Sequence, residues 1–196
     1  MKTSIKTGLA ALLLLAISCT KVPLSNPQVT GTQTQDNAAA QTSAHFIGER
    51  FGGGIIFYLK EGGNHGLIAD TIDLPQAVWY NNEIYTVTGA LKKGIGSGKE
   101  NSRKILESQG QPGTRYAAAL CAKSKRGGYT DWFLPSKAEL NELYLQKNVV
   151  LGFADNYYWS SSEEDQFTAW SENFTNGYQY NDYKSYESYV RAIRAF

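Results

Sequence analysis

The 196-residue chain is poor in the residues that most often carry chemistry. It has two cysteines, two histidines and one methionine. Two cysteines cannot build a disulfide-stapled scaffold or a four-cysteine zinc site. The histidines, His45 and His65, stand in no His-Glu-x-x-His helix, and no Gly-x-Ser-x-Gly elbow occurs. Catalysis by either route is therefore not expected. Nineteen basic and 18 acidic side chains nearly cancel, to a formal net charge of +1. That balance gives no general attraction to nucleic acid or to an anionic membrane surface. The apolar run Leu9–Ile17 is far too short to span a bilayer.

A nucleotide loop is also missing. Gly94-Ile-Gly-Ser-Gly-Lys99 invites the comparison, but Lys93 stands where the first glycine of such a loop belongs. Glu100 stands where a Ser or Thr would hold magnesium, and no apolar strand leads in. The segment reads as a flexible loop before a helix.

What the N-terminus does contain is an export signal. Lys2 and Lys6 precede the apolar run, and the small residues Ala16 and Ser18 sit just before Cys19. Residues 1–18 are read as a signal peptide. The Leu-Ala-Ile-Ser-Cys end resembles a bacterial lipobox, so Cys19 is the expected lipid attachment site, with ordinary signal cleavage as the alternative. Removing Lys2 and Lys6 leaves 17 basic against 18 acidic residues, a net charge of −1. With Cys19 acylated, Cys121 has no disulfide partner. Cys121 lies on a helical face with Ala117 and Leu120 and reads as a small buried apolar side chain.

Residues 19–45 are rich in Thr, Gln, Asn, Ala and Ser and poor in bulky apolar groups. Such a segment cannot offset its ordering entropy and reads as a disordered tether. As a flexible coil it would reach roughly 25–30 Å. The globular domain is expected over 46–196.

Within it, the stretch Trp132-Phe-Leu-Pro-Ser-Lys-Ala-Glu139 packs a strand end, a stop and a helix start together. The three bulky residues suit a half-buried strand, and Pro135 ends it. Ser136 with Glu139 forms a capping-box pattern, and Leu140, Leu143 and Tyr144 give the helix its apolar face. Lys137, Glu139, Asn141 and Glu142 are assigned to the opposite, polar face. Earlier, Phe51–Leu59, a glycine run followed by a strand, and Gly66–Asp70 flank turn residues and read as a hairpin. Helices are expected from a cap at Asn101 to about Ser108, and from about Thr114 to Lys123. Later, strands are expected at 156–162, 168–174 and 178–180. Asn176-Gly177 is the turn between the last two, and Tyr189–Phe196 reads as one terminal strand. Glu163, Glu164 and Asp165 read as a solvated turn; too few oxygens are present to argue for calcium. Strands, then helices, then strands indicate an α+β domain with an antiparallel sheet.

Three segments carry a family resemblance: Gly53-Gly-Ile-Ile-Phe-Tyr58, the Asp131–Leu140 corner, and Tyr157–Glu163 together with Tyr189–Arg194. In these the chain resembles the Lcl C-terminal domain family, a bacterial domain of largely unassigned function whose namesake is a collagen-like adhesin. The resemblance covers most of 51–196 and implies a C-type-lectin-like domain. Such a domain has a twisted antiparallel sheet with two or three helices and is distantly similar to the formylglycine-generating-enzyme fold. It implies an exported adhesion or glycan-binding module and brings no catalytic motif; with the lipobox-like signal, the expected location is the cell envelope, as an outer-membrane lipoprotein, with no cofactor or metal expected.

The residues themselves point to a contact surface. Tyr178-Gln-Tyr-Asn-Asp-Tyr-Lys-Ser-Tyr-Glu-Ser-Tyr189 interleaves tyrosines with amides and charges. A tyrosine presents a flat apolar face and a hydroxyl at low entropic cost. Tyr178, Tyr180, Tyr183 and Tyr186 are the candidate ligand contacts. The expected partners are the membrane, through the lipid, and a glycan or envelope protein, with no nucleic acid. Two other readings compete: a structural subunit of an envelope or fimbrial assembly, and an enzyme of the formylglycine-generating fold.

Overall fold

The computed structural model describes residues 44–81, 83–110 and 115–196. The signal peptide, Cys19 and the tether up to residue 43 lie outside the described residues.

Strands β1 (Arg50–Phe51), β2 (Gly54–Leu59), β3 (Gly66–Ala69) and β9 (Ile193–Ala195) form an antiparallel sheet in the order β1-β2-β3-β9. The β2–β3 hairpin is the one expected. Gly54 is required where it stands, because a Cβ there would fall 2.0 Å from the Ala69 carbonyl oxygen. Strand β2 is an unbroken apolar run because both its faces are covered. Ile56 packs in a core with Ile68, Trp79, Tyr116, Cys121 and Trp159. Its neighbours Ile55 and Phe57 point the other way, into a core with Leu140, Leu143, Tyr158 and Phe174.

A second sheet has the order β4-β8-β5-β6-β7, from β4 (Leu74–Ala77), β8 (Ser188–Val190), β5 (Tyr157–Glu163), β6 (Thr168–Asn173) and β7 (Gln179–Tyr183). All its pairs are antiparallel except β5–β8, which meet in parallel at Tyr158 and Tyr189. The C-terminal segment is thus two strands, not one. It leaves the second sheet at Val190 and joins the first at Ile193. Arg191 sits at the crossing, fully buried. It donates to Asp73 Oδ1 (2.7 Å) and to the carbonyls of Asp70, Leu151 and Gly152.

Helices α1 (Gly98–Gln109), α2 (Ala117–Lys123), α3 (Lys137–Leu145) and α4 (Lys147–Val150) cover the sheets, with a 3-10 turn at Arg126–Gly128. The class is α+β, with one more short helix than the two or three expected, because α4 follows directly on α3. Asn101 does not cap α1. It lies inside the helix, buried, and its amide donates to the Lys92 carbonyl at 2.6 Å. Trp132, Phe133 and Leu134 are all buried, but only Phe133 pairs, exchanging two backbone bonds of 2.8 and 2.9 Å with Ile193. The capping box at Ser136 and Glu139 is present as expected. Glu139, however, is fully buried instead of lying on a polar face. Its carboxylate accepts from the backbone N–H groups of Ser136 and Gly96, each at 2.7 Å, and so fastens the 94–98 loop to α3.

Candidate functional site

Strand β7 forms one edge of the five-stranded sheet. The turn before it is fixed by its own side chains: Asn173 Oδ1 accepts from Thr175 N–H (2.8 Å) and Asn176 Oδ1 from Tyr178 N–H (3.0 Å). Gly177 has φ +78°, and a Cβ there would lie 2.5 Å from the Tyr144 ring. The hairpin tip is therefore seated on α3, and the Lys147 ammonium donates to the Phe174 carbonyl beside it. A firmly held hairpin gives the edge a defined shape.

All four predicted contact residues are solvent-exposed: Tyr178 66%, Tyr180 37%, Tyr183 55% and Tyr186 54%. Exposed rings this close together in the chain make the β7 edge the candidate contact surface. Three of them make ring contacts, in two separate pairs. Tyr180 pairs opposite Ser171, and its ring lies 5.6 Å from that of Tyr157 on β5. The rings of Tyr183 and Tyr186 are also 5.6 Å apart. Tyr178 makes no such ring contact among the described residues.

Beside these rings is a cavity of about 560 Å³ lined by Tyr157, Asp182, Ser185, Tyr186, Glu187 and Ser188. Asp182 lies on the same face of β7 as Tyr180, by the two-residue alternation of a strand, and accepts from the Ser171 hydroxyl. Sequence reading missed Tyr157, Asp182, Ser185, Glu187 and Ser188. The signal that could have found Tyr157 is the register of the β5–β6–β7 meander, which sets it opposite Asn173 and near Tyr180.

The other face of the same strands is built differently. Trp170 lies opposite Asn181, with Lys137 Nζ 3.0 Å and Lys93 Nζ 5.0 Å from its ring centre. Its indole N–H donates to Glu164 Oε2 (2.6 Å), which also pairs with Lys93 (2.6 Å). Glu172 is buried next to them. One of its oxygens accepts from Gln179 Nε2 at 3.0 Å and the other has no partner. Burial pushes its carboxyl up to about 7.

The acidic triplet is only partly the solvated turn expected. Glu164 and Asp165 are exposed, but Glu163 is sealed and paired with the equally sealed Lys184 at 2.6 Å. Among the described residues, no group of three or more His, Cys, Asp or Glu side chains is arranged to hold a metal ion. Cys121 is a fully buried free thiol, and burial pushes its pKa up, away from the reactive thiolate. His45 packs against Phe51 and Phe196 with Nδ1 2.9 Å from Glu49, and His65 lies 3.2 Å from the Phe196 carbonyl. Neither approaches Cys121 through any hydrogen bond among the described residues.

Comparison with known proteins found no match among curated proteins. Among solved structures, the chain is similar to a fimbrial protein from Bacteroides ovatus ATCC 8483, at 12% identity and a TM-score of 0.47. That match covers 71% of this chain and 43% of the other, so the chain spans less than half of that protein's length. The Lcl C-terminal domain family matches residues 77–194, from the last residue of β4 into β9 and including the whole β7 edge, and the chain belongs to this family.

Proposed function

We propose that this protein is an exported, lipid-anchored binding or adhesion module of the cell envelope, with no catalytic role, and that it grips its ligand with the β7 edge. The observation that carries this reading is a cavity of about 560 Å³ lined by Tyr157 and the exposed Tyr186, with the exposed rings of Tyr180 and Tyr183 packed against those two. That volume lies within the range of about 300–1,000 Å³ usual for small-ligand sites. Family membership and the Cys19 signal sequence are consistent with it. The ligand is a glycan or a surface protein.

The test has two parts. The mature chain is applied to a glycan array and to solubilised envelope extract, alongside the variant with Tyr180, Tyr183 and Tyr186 changed to Ala. Binding lost in the variant, with an unchanged melting profile, supports the reading; binding retained removes β7 from the site. For the anchor, metabolic fatty-acid labelling in a bacterial host should mark the native chain and not Cys19→Ala. Unlabelled native chain would mean ordinary cleavage.

A specific feature favours a second reading, a structural subunit. Strand β7 pairs with β6 without a bulge and carries neither Lys nor Pro, so its outer edge is unprotected against a further strand. Co-purification of one stoichiometric protein partner, with no glycan binding, would favour it.

A further inference from the structure

The lining of the cavity beside β7 is chemically one-sided. It holds two carboxylates, Asp182 and Glu187, two tyrosine rings and two serine hydroxyls, and neither Lys nor Arg. The exposed Arg115 lies in the lining of the neighbouring cavity, which shares Glu187, and the other basic residues of this region are committed elsewhere. Lys184 is sealed against Glu163, and Lys93 and Lys137 lie with Trp170 on the opposite face of the sheet.

We infer that this cavity takes an uncharged, hydroxyl-rich sugar ring and rejects sulfated and uronic-acid glycans. The inference rests on the β7 edge being the contact surface. Carboxylates are acceptors only and bond strongly to hydroxyl donors. Asp182 has one oxygen engaged by Ser171 and keeps lone pairs for a ligand. Glu187 is exposed and carries no hydrogen bond among the described residues. Two such acceptors on the wall of one cavity can each take a sugar hydroxyl. Ser185 and Ser188 both donate and accept, and so can complete the pattern. The rings of Tyr157 and Tyr186 provide flat apolar surface for the C–H face of a pyranose. A sulfate or carboxylate brings only acceptors and negative charge to two carboxylates, which is repulsive and leaves both sides unpaired. A basic peptide would satisfy the carboxylates but would make little use of the two rings set as walls or of the serine hydroxyls.

The experiment uses the mature chain and three probes: an array of neutral hexose and N-acetylhexosamine oligosaccharides, heparin, and a hexa-arginine peptide. Neutral oligosaccharides should bind, and the other two should not. Glu187→Gln and Tyr186→Ala should each weaken that binding at least tenfold; both side chains are exposed, so the fold should persist, checked by circular dichroism. Glu187→Lys should lose neutral-sugar binding as well. Preference for heparin or for hexa-arginine over neutral sugars would overturn the inference and leave the β7 contact surface standing. Neutral-sugar binding untouched by all three variants would place the sugar elsewhere and overturn it too. No glycan binding, with a protein captured through β7, would overturn the inference alone. Silence on every probe and extract would overturn both.

Discussion

Lys184 Nζ lies 2.6 Å from Glu163 Oε1, and neither side chain is more than 1% exposed. The ammonium also donates to the carbonyls of Thr86 (3.1 Å), Asp165 (2.8 Å) and Gln166 (2.9 Å). Glu163 in turn accepts from the backbone of Thr88 (2.9 Å) and Gly89 (3.0 Å). One cation therefore gathers the end of β5, the 164–167 turn and the 86–89 segment. It sits where it directly follows the Tyr183 end of β7, so the pair also fixes the candidate surface from behind. Removing one member of a buried pair strands the other charge, at a cost of about 3–5 kcal/mol. Lys184→Met should lower unfolding free energy by that amount in urea titrations. The double variant Lys184→Met/Glu163→Gln should cost clearly less than the sum of the singles. A loss below about 1 kcal/mol for Lys184→Met would contradict this account.

Gly98 opens α1 directly over the Glu139 carboxylate. A Cβ at this position would lie 2.2 Å from Glu139 Oε2, 2.8 Å from the Leu134 carbonyl and 2.9 Å from Ser136 N. Helix propensity alone favours Gly98→Ala, by up to about 1 kcal/mol. Two of the three obstructing atoms are backbone and cannot move aside, so overpacking wins. Gly98→Ala should destabilise by about 1–3 kcal/mol. A raised denaturation midpoint would show that propensity dominates and that the loop is looser than described.

Glu172 makes stability depend on pH. Burial raises its carboxyl from an ordinary 4.5 to about 7. The folded state then holds a proton that the unfolded state releases, so stability is greatest below about pH 4.5. It falls as pH rises through about 7, by about 2–3 kcal/mol at most. Glu172→Gln keeps the shape and an acceptor for Gln179 but cannot ionise. Other groups titrate over the same range, so the readout is the difference between the two proteins. Their stabilities should be similar at pH 4.5, and the variant should be the more stable at pH 8. Parallel stability–pH curves would show that Glu172 is ordinary.

Much of this architecture is legible locally. The Ser136–Glu139 capping box, the β2–β3 hairpin and the Asn176-Gly177 turn each depend on residues within a few positions of one another. The failures share a cause. Glu139 looks solvated until the 94–98 loop folds over it. Glu163 looks like part of an acidic surface run until Lys184, 21 positions away, arrives beneath it. The tail from Tyr189 to Phe196 looks like one strand because nothing nearby reveals that Arg191 must reach Asp73 and Gly152. The tyrosine strip was visible, but the cavity was not, since Tyr157 joins it only through strand register. The charges least readable from the sequence are those whose partners are distant and whose burial is supplied by another segment.

Leu151 is the one non-glycine residue with positive φ among the described residues, at φ +66° and ψ 174°. That region of backbone space is essentially reserved for glycine and costs about 1–3 kcal/mol for other residues. The neighbouring Gly152 also has positive φ, +72°. The reason lies in Arg191, whose Nη1 takes the Leu151 carbonyl at 3.3 Å and whose Nη2 takes that of Gly152, while its guanidinium stacks 3.9 Å from the Phe153 ring. The turn is bent to aim two carbonyls at one buried fork. The Leu151 side chain itself is 62% exposed and contributes little packing. Leu151→Gly should therefore stabilise the protein by about 1 kcal/mol, against the usual entropic penalty of glycine. Arg191→Lys keeps the charge near Asp73 but cannot bridge both carbonyls. It should lose more than about 2 kcal/mol. In that background the turn is no longer pulled into place, and the gain from Leu151→Gly should shrink. If both substitutions simply added in thermal or urea unfolding, the bend at Leu151 would be independent of Arg191, and the coupling argued here would fail.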